Sequence, residues 1–264
     1  MRVPELGRAG PSDFARGFAL PFRALSLLFA TPRLLVLTLS MAALTLATLL
    51  GLGALLWRLA PALAQGAIGQ SDSFWAVALR AVLTAALFVA LFMLGANALP
   101  LTLAAPLMDP ISLQTERAVG IPAPREGGWW RTLREILRSV SNGLMRLLVL
   151  ALGQALLLAL LLIPGLGGPL WTALSWAWAA IWLAAAYLDV PMARYLYTLD
   201  HEVGVLKKRF WLCLGFGAAV ALMLWIPLLN CFFVPVAVIG ATLLFHGLVA
   251  AGALPPPSSP APAE

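Results

Sequence analysis

The sequence predicts an all-α integral membrane protein with two long transmembrane helices, two Pro/Gly-broken and partly penetrating helical hairpins, and interfacial amphipathic helices. Of its 264 residues, 62% are apolar and 11% are charged, whereas soluble domains carry about 45–50% and about 25%. The mean hydropathy of +0.94 is too high for a surface that faces water. Several uncharged segments also match the roughly 30 Å thickness of a hydrocarbon core.

Two long uncharged segments predict the transmembrane helices. Residues 34–57 carry no charge and would extend about 36 Å as a helix. The second span is expected at about 81–105, with Pro100 and Pro106 bending or ending its last part. Both spans belong to a single predicted membrane domain, residues 34–254.

Two further apolar blocks, about 147–188 and 210–252, are too long for one helix and contain helix breakers near the middle. Each predicts a hairpin with an Ile-Pro step at its break, Ile163-Pro164 and Ile226-Pro227. The first arm of each hairpin has 17 residues, about 25 Å, which is at the lower limit for crossing a bilayer. Each hairpin therefore either penetrates the membrane only partly or turns just outside the far leaflet. The equal arms indicate a weak internal repeat.

The segment before the first span, residues 1–33, is predicted to be cytoplasmic and to contain an interfacial amphipathic helix. A second amphipathic stripe begins near Trp129 and Trp130, whose rings suit the headgroup level. The Pro-rich end, residues 255–264, predicts a disordered tail. The apolar stripe of the first helix consists of Phe14, Phe18, Phe22, Leu25 and Phe29.

The distribution of basic residues indicates the orientation in the membrane. The segment between the two long spans carries only Arg58 and Arg80, so the other 15 of the 17 Lys and Arg residues lie elsewhere. They occupy three segments, 1–33, 109–146 and 189–209. By the positive-inside rule, these segments and both termini are expected to be cytoplasmic.

The step Thr31-Pro32-Arg33 is a candidate anion-binding site. Thr31 is suited to the N-cap and Pro32 to the first helical turn, so the first spanning helix is predicted to begin here. The free N–H groups of that turn, the helix dipole and the Arg33 guanidinium together favour an oxyanion. The simpler interpretation is that Arg33 anchors the helix at the membrane surface.

Further polar residues are candidates for a pore or vestibule. Asparagines inside a membrane need partners and therefore either line a pore or form structural hydrogen bonds. The arginines before the first hairpin either rest against anionic lipid or form a basic vestibule. The acid and the arginine after that hairpin either form a salt bridge or lie along a permeation path. These candidates are Asn97 and Asn230, then Arg131, Arg134 and Arg138, and finally Asp189 and Arg194.

The sequence does not indicate catalytic chemistry. It lacks a Gly-rich phosphate loop with its Lys and Ser/Thr, and it lacks paired histidines at the spacing of a helical metal site. We therefore expect no enzyme activity, no cofactor, no metal and no nucleic-acid partner. The lipid bilayer is the partner that the composition requires.

Three groups of motifs point to a family. The central group is Ala105-Pro106 with Asp109 and Glu116, and the opening group is Gly17-Phe18 with Pro32-Arg33-Leu34. These motifs resemble those of CysZ-type sulfate permeases and the related etoposide-induced membrane proteins, over about residues 14–248. The closing group is the most specific: Tyr187, Asp189, Pro191, Arg194, Gly215-Phe216-Gly217, Ile226-Pro227, Asn230, Pro235-Val236-Ala237-Val238 and Gly240-Ala241-Thr242.

The resemblance implies a multi-pass protein of the bacterial inner membrane that admits sulfate or a similar small oxyanion for cysteine biosynthesis. It also implies a homo-oligomer, and it implies an anion contact at Arg33. Permeases of this family typically carry Gly-Leu-Arg-Arg directly after the proline that opens the first span, whereas Arg33-Leu34-Leu35-Val36 stands here. Because one arginine replaces two, the sequence leaves two functions open. One is an anion permease, and the other is a non-transporting membrane scaffold or stress-related factor.

Overall fold

The computed structural model describes residues 4, 6, 9–69, 73–121, 129–225 and 227–256, without the side chains of 96–106, 129–136, 138–139 and 227–231. These described residues form α-helices and contain no strand. The helices are α1 Asp13–Ala30, α2 Pro32–Ile68, α3 Phe74–Val119, α4 Trp129–Leu158, α5 Gly167–Arg194, α6 Leu199–Lys208, α7 Phe210–Leu224 and α8 Pro227–Ala250, with a 3-10 turn at Ala159–Leu162 after α4.

The helices divide into two compact units. The first unit comprises Met1–Thr38 and Met108–Glu264, and within it α5 packs against α4, α7 and α8 while α1 packs against α7 and α8. The second unit, Leu39–Leu107, consists of parts of α2 and α3. Its helices touch through Trp57 and Phe88, whose ring centroids lie 6.3 Å apart.

The predicted fold class, an all-α membrane protein, is confirmed. In the part of the chain that the structure describes, five helical segments are long and apolar enough to cross a membrane. Helix α7 has 15 residues, about 22 Å, which is shorter than a hydrocarbon core of about 30 Å. The depth to which the hairpins penetrate stays a prediction. The five segments are Pro32–Ile68, Phe74–Gly95, Val140–Leu162, Gly167–Arg194 and Phe232–Ala250.

The two long helices extend beyond the spans that the charges delimit. Helix α2 begins at Pro32, as predicted, but continues past residue 57 to Ile68. Helix α3 begins before residue 81 and its backbone stays helical through Pro100 and Pro106. A charged residue ends a hydrophobic segment without ending the helix. A proline removes one backbone N–H donor, and a membrane helix tolerates that loss.

The hairpins have shorter breaks than the sequence suggests. Helix α4 is continuous from Trp129 to Leu158, so the predicted amphipathic surface helix and the first hairpin arm are one element. In the second hairpin, α8 begins at Pro227 itself, so the helix resumes directly at the predicted Ile226-Pro227 break. Proline is well suited to the first helical position because it lacks only an N–H that would have no partner there. Of the predicted tail, residues 257–264 lie outside the described part.

Three glycines allow α7 to lie directly against its neighbours. A Cβ at Gly17 of α1 would overlap the carbonyl oxygen of Leu212, and one at Gly215 would overlap that of Phe14. On the opposite side of α7, a Cβ at Gly217 would overlap the carbonyl oxygen of Ala180 in α5. The backbones can approach this closely because glycine has no side chain.

The N-terminal helix is packed against other helices, whereas the sequence predicts a helix at the membrane interface. Helix α1 buries a face of small and aliphatic residues, including Gly17, Leu20 and Ala24, against α7 and α8. The phenylalanine stripe flanks this face, and Phe22 and Phe29 are exposed. Close packing of α1 therefore depends on its small residues, while the phenylalanines remain available to lipid.

Candidate functional site

The predicted anion site lies at the first turn of α2. The N–H of Leu35 donates to the carbonyl oxygen of Thr31 at 3.1 Å, which is the first bond of the helix and places Thr31 at the N-cap position. Arg33 is exposed. It borders a shallow, open depression of about 410 Å³ that Gln114 of α3 also lines. The site thus combines a helix N-terminus, a guanidinium and a side-chain amide within the first unit.

Five of the predicted pore residues have side chains outside the described part of the structure. Their backbones place Asn97 in α3 and Asn230 in α8. The three arginines lie near the start of α4 at helical spacing, so they share one face of that helix. They are Arg131, Arg134 and Arg138, and their role in a vestibule stays a prediction.

Arg194, at the end of α5, is part of an ion-pair network with α3. Its Nη1 lies 3.1 Å from Oε2 of Glu116, whose side chain is fully buried. Its Nη2 lies 3.2 Å from Oδ1 of the exposed Asp109. Burial and then the charge of Glu116 raise the pKa of Tyr195, so the adjacent phenol stays protonated. The network links the end of α5 to the C-terminal part of α3.

Glu116 also contacts α8. Nε2 of His246 lies 3.1 Å from Oε1 of Glu116, so this histidine is packed and hydrogen-bonded. One helical turn away in both helices, the hydroxyls of Ser112 and Thr242 lie 2.9 Å apart. The two pairs form a buried polar ladder between α3 and α8, because residues four apart lie above one another on a helix.

A second network surrounds Arg146 of α4. Its guanidinium donates to both carboxylate oxygens of Glu202 in α6, at 3.0 and 2.9 Å. The same Nη2 lies 3.3 Å from Oδ1 of Asp189. Burial raises the pKa of Glu202, and the hydrogen bonds and charge of Arg146 oppose that rise. Two carboxylates and one guanidinium thus share a largely buried site.

A third network fastens the N-terminal helix. Asp13 is 1% exposed, and its carboxylate accepts hydrogen bonds from Arg209 at 2.9 Å and from Arg16 at 3.0 Å. Arg209 lies at the junction of α6 and α7. This pairing therefore ties the start of α1 to the start of the second hairpin.

The sequence indicated some of these residues but not their partners. Asp189 forms an ion pair with Arg146. Arg194 forms ion pairs with Asp109 and Glu116. The roles of Asp13 and Glu202 were not foreseen, and Glu116 entered only through a family motif. Asp13 and Glu202 stand beside other polar or charged residues in the sequence, so no local signal marked them as buried, and a buried charge requires a partner that only the fold can supply.

The fold and these networks define a helical, multi-pass membrane protein in which several buried charged side chains form ion pairs near helix ends. A family model described as "Sulfate transporter CysZ/Etoposide-induced protein 2.4" matches residues 20–235. The chain belongs to this family.

Curated relatives carry the first of these two names. A protein of Vibrio cholerae serotype O1 named "Sulfate transporter CysZ" is 32% identical over 183 residues, covering 67% of this chain and 72% of the relative. A "Sulfate transporter CysZ" of Vibrio parahaemolyticus is 28% identical over 183 residues, covering 69% and 74%. One from Pseudomonas aeruginosa is 34% identical over 121 residues, covering 44% of this chain and 47% of the relative.

Proposed function

We propose that this protein is a sulfate permease that supplies sulfate for cysteine biosynthesis. The observation that carries the proposal is the likeness to relatives named as sulfate transporters over about two thirds of the chain. The alternative, a non-transporting scaffold or stress-related factor, is not favoured by those names. We further propose a bacterial inner-membrane location with both termini cytoplasmic, assembly into a homo-oligomer, and transport rather than catalysis as the activity.

Arg33 is the proposed contact for the incoming or departing anion. Its exposure leaves the guanidinium accessible to a solute, and the first turn of α2 directs free N–H groups toward the same region. Gln114 contributes an amide that can donate to an oxyanion in the same depression.

Uptake of radiolabelled sulfate into proteoliposomes tests the permease. We expect uptake above that of protein-free vesicles, reduced by unlabelled sulfate in excess. Uptake equal to that of empty vesicles, in every oligomeric state that can be purified, would remove the proposal. Normal growth on limiting sulfate of a deletion strain without another sulfate importer would favour the scaffold.

Arg33→Gln is expected to weaken sulfate binding about tenfold, because it removes a charge-assisted hydrogen bond while keeping an amide of similar length. Isothermal titration with sodium sulfate measures the change. Arg23→Gln is the matched control, since Arg23 is an exposed arginine on α1 away from this helix start. Equal affinity in the Arg33 variant and the wild type would contradict an anion contact at this residue.

A further inference from the structure

The junction of α6 and α7 carries exposed basic and exposed aromatic side chains next to each other. Lys207 and Lys208 end α6, and both are exposed. Phe210 and Trp211 begin α7 and are 41% and 43% exposed. These four residues are called the junction patch below. Its two lysines are the only lysines among the 17 Lys and Arg residues of the chain.

The acids around this junction do not neutralise the lysines. Within the part of the chain that the structure describes, neither lysine side chain has an ion pair or a hydrogen bond. Asp13 uses one carboxylate oxygen for Arg209, at 2.9 Å, and the other for Arg16, at 3.0 Å. Glu202 is buried in the second network, and Asp200 lies in the first turn of α6, at the opposite end from the lysines. The ammonium groups are therefore available to an external anion.

The junction patch also lies where the chain changes from polar to apolar. Residues 207–209 are all basic, and residues 210–250 contain no Asp, Glu, Lys or Arg. Helix α7 is buried from Leu212 to Val220, whereas its first two residues, both aromatic, are exposed. Aromatic rings favour the boundary between headgroups and acyl chains, and lysines extend from that boundary toward the headgroups. The patch thus has cations and apolar rings in the order in which a lipid has its phosphate and its acyl chains.

We propose that the junction patch binds an anionic phospholipid, with the lipid phosphate on Lys207 and Lys208 and an acyl chain against Phe210 and Trp211. The two rings meet edge to face with centroids 5.4 Å apart, so they form one continuous apolar surface. A soluble anion would leave that surface without a contact. A zwitterionic lipid carries a cation of its own and is therefore attracted less strongly. The proposal depends neither on Arg33 nor on transport.

Reductive ¹³C-methylation of the two lysines provides a probe, because it keeps their charge and labels no other side chain. The protein in micelles of an uncharged detergent is titrated with phosphatidylglycerol, with phosphatidylcholine and with sodium sulfate in separate samples. The lysine signals, assigned with K207Q and K208Q, are expected to shift and to saturate with phosphatidylglycerol alone. Equal shifts with phosphatidylcholine, or with sulfate, would overturn the assignment to an anionic lipid.

Native mass spectrometry of the protein with phosphatidylglycerol gives the second measurement. K207Q and K208Q should each weaken binding of the first lipid about fivefold, the effect of one basic residue near a membrane surface. W211A should weaken it as well, because the acyl chain loses its contact. W225A is the matched control and should bind as the wild type does, since Trp225 is 79% exposed but lies at the opposite end of α7. Wild-type affinity in both lysine variants, or equal weakening in W211A and W225A, would overturn the site.

Discussion

Arg146→Met is expected to destabilise the protein by about 3–5 kcal/mol at neutral pH, because it leaves two buried carboxylates without their counter-charge. Glu202 is 2% exposed and Asp189 is 8% exposed, and both lie within 3.3 Å of the guanidinium that is removed. Methionine keeps much of the volume of the side chain. Thermal unfolding in detergent, followed by intrinsic fluorescence, measures the loss.

The loss of stability caused by Arg146→Met should become larger as the pH rises. Burial already raises the pKa of Glu202 above its ordinary value of 4.5, and removal of Arg146 takes away the hydrogen bonds and the charge that lower it. A carboxyl with a raised folded-state pKa stabilises the folded state below the unfolded pKa and loses that contribution as pH rises. The variant should therefore lie closest to the wild type near pH 5 and furthest from it above pH 7.

Neutralising the two carboxylates that Arg146→Met leaves without a counter-charge provides the control. Adding Asp189→Asn and Glu202→Gln to the Arg146 variant should recover a substantial part of the lost stability, since neutral amides tolerate burial better than unpaired carboxylates. If the Arg146 variant unfolds at the wild-type temperature at every pH, the network does not contribute to the stability of the folded helices.

Gly217→Ala is expected to destabilise the packing of α7 against α5 by about 3 kcal/mol, a value typical of overpacking in a dense interior. The added methyl group would overlap the carbonyl oxygen of Ala180, which is backbone and cannot rotate away. The helices must separate, and the buried contacts of Phe216 and Val220 with their neighbours would loosen. The measurement is again the unfolding temperature of the purified protein.

Gly143→Ala is the matched control for this substitution. Gly143 also lies inside an apolar helix, α4, but a Cβ there meets nothing within 4 Å. The control should be neutral or gain up to about 1 kcal/mol, because alanine has the higher helix propensity. Equal behaviour of the two variants would show that the close approach of α5 and α7 is not required for stability.

Much of the fold could be predicted from local patterns. The uncharged length after Arg33 and the Thr31-Pro32 step predict where α2 begins, and α2 does begin at Pro32. The Pro and Gly residues at 164–169 predict the break between α4 and α5. Local patterns failed where the end of an apolar run and the end of a helix do not coincide. Arg58 marks the end of an apolar run, yet α2 continues for ten residues to Ile68 because a helix requires backbone hydrogen bonds and not an apolar surface.

The candidate site was predicted only in part. Arg33 could be proposed from the sequence because its signal is contained in three consecutive residues at a helix start, and its contact with an anion stays a prediction. Its neighbour Gln114 carries no such signal, since it reaches the same depression only through the packing of α3.

The sequence by itself predicted a lipid environment, an all-α fold and the side of the membrane on which the basic segments are expected. These properties can be predicted because hydropathy and charge act over short stretches of chain. Only the tertiary structure decided which charges meet. Asp13 pairs with Arg209 and Arg146 with Glu202, across 196 and 56 residues of sequence, and His246 forms a hydrogen bond with Glu116 across 130 residues. The first of these pairs depends on how closely α1 approaches α7, and Gly17 and Gly215 allow that approach because each lies against a backbone carbonyl oxygen far along the chain.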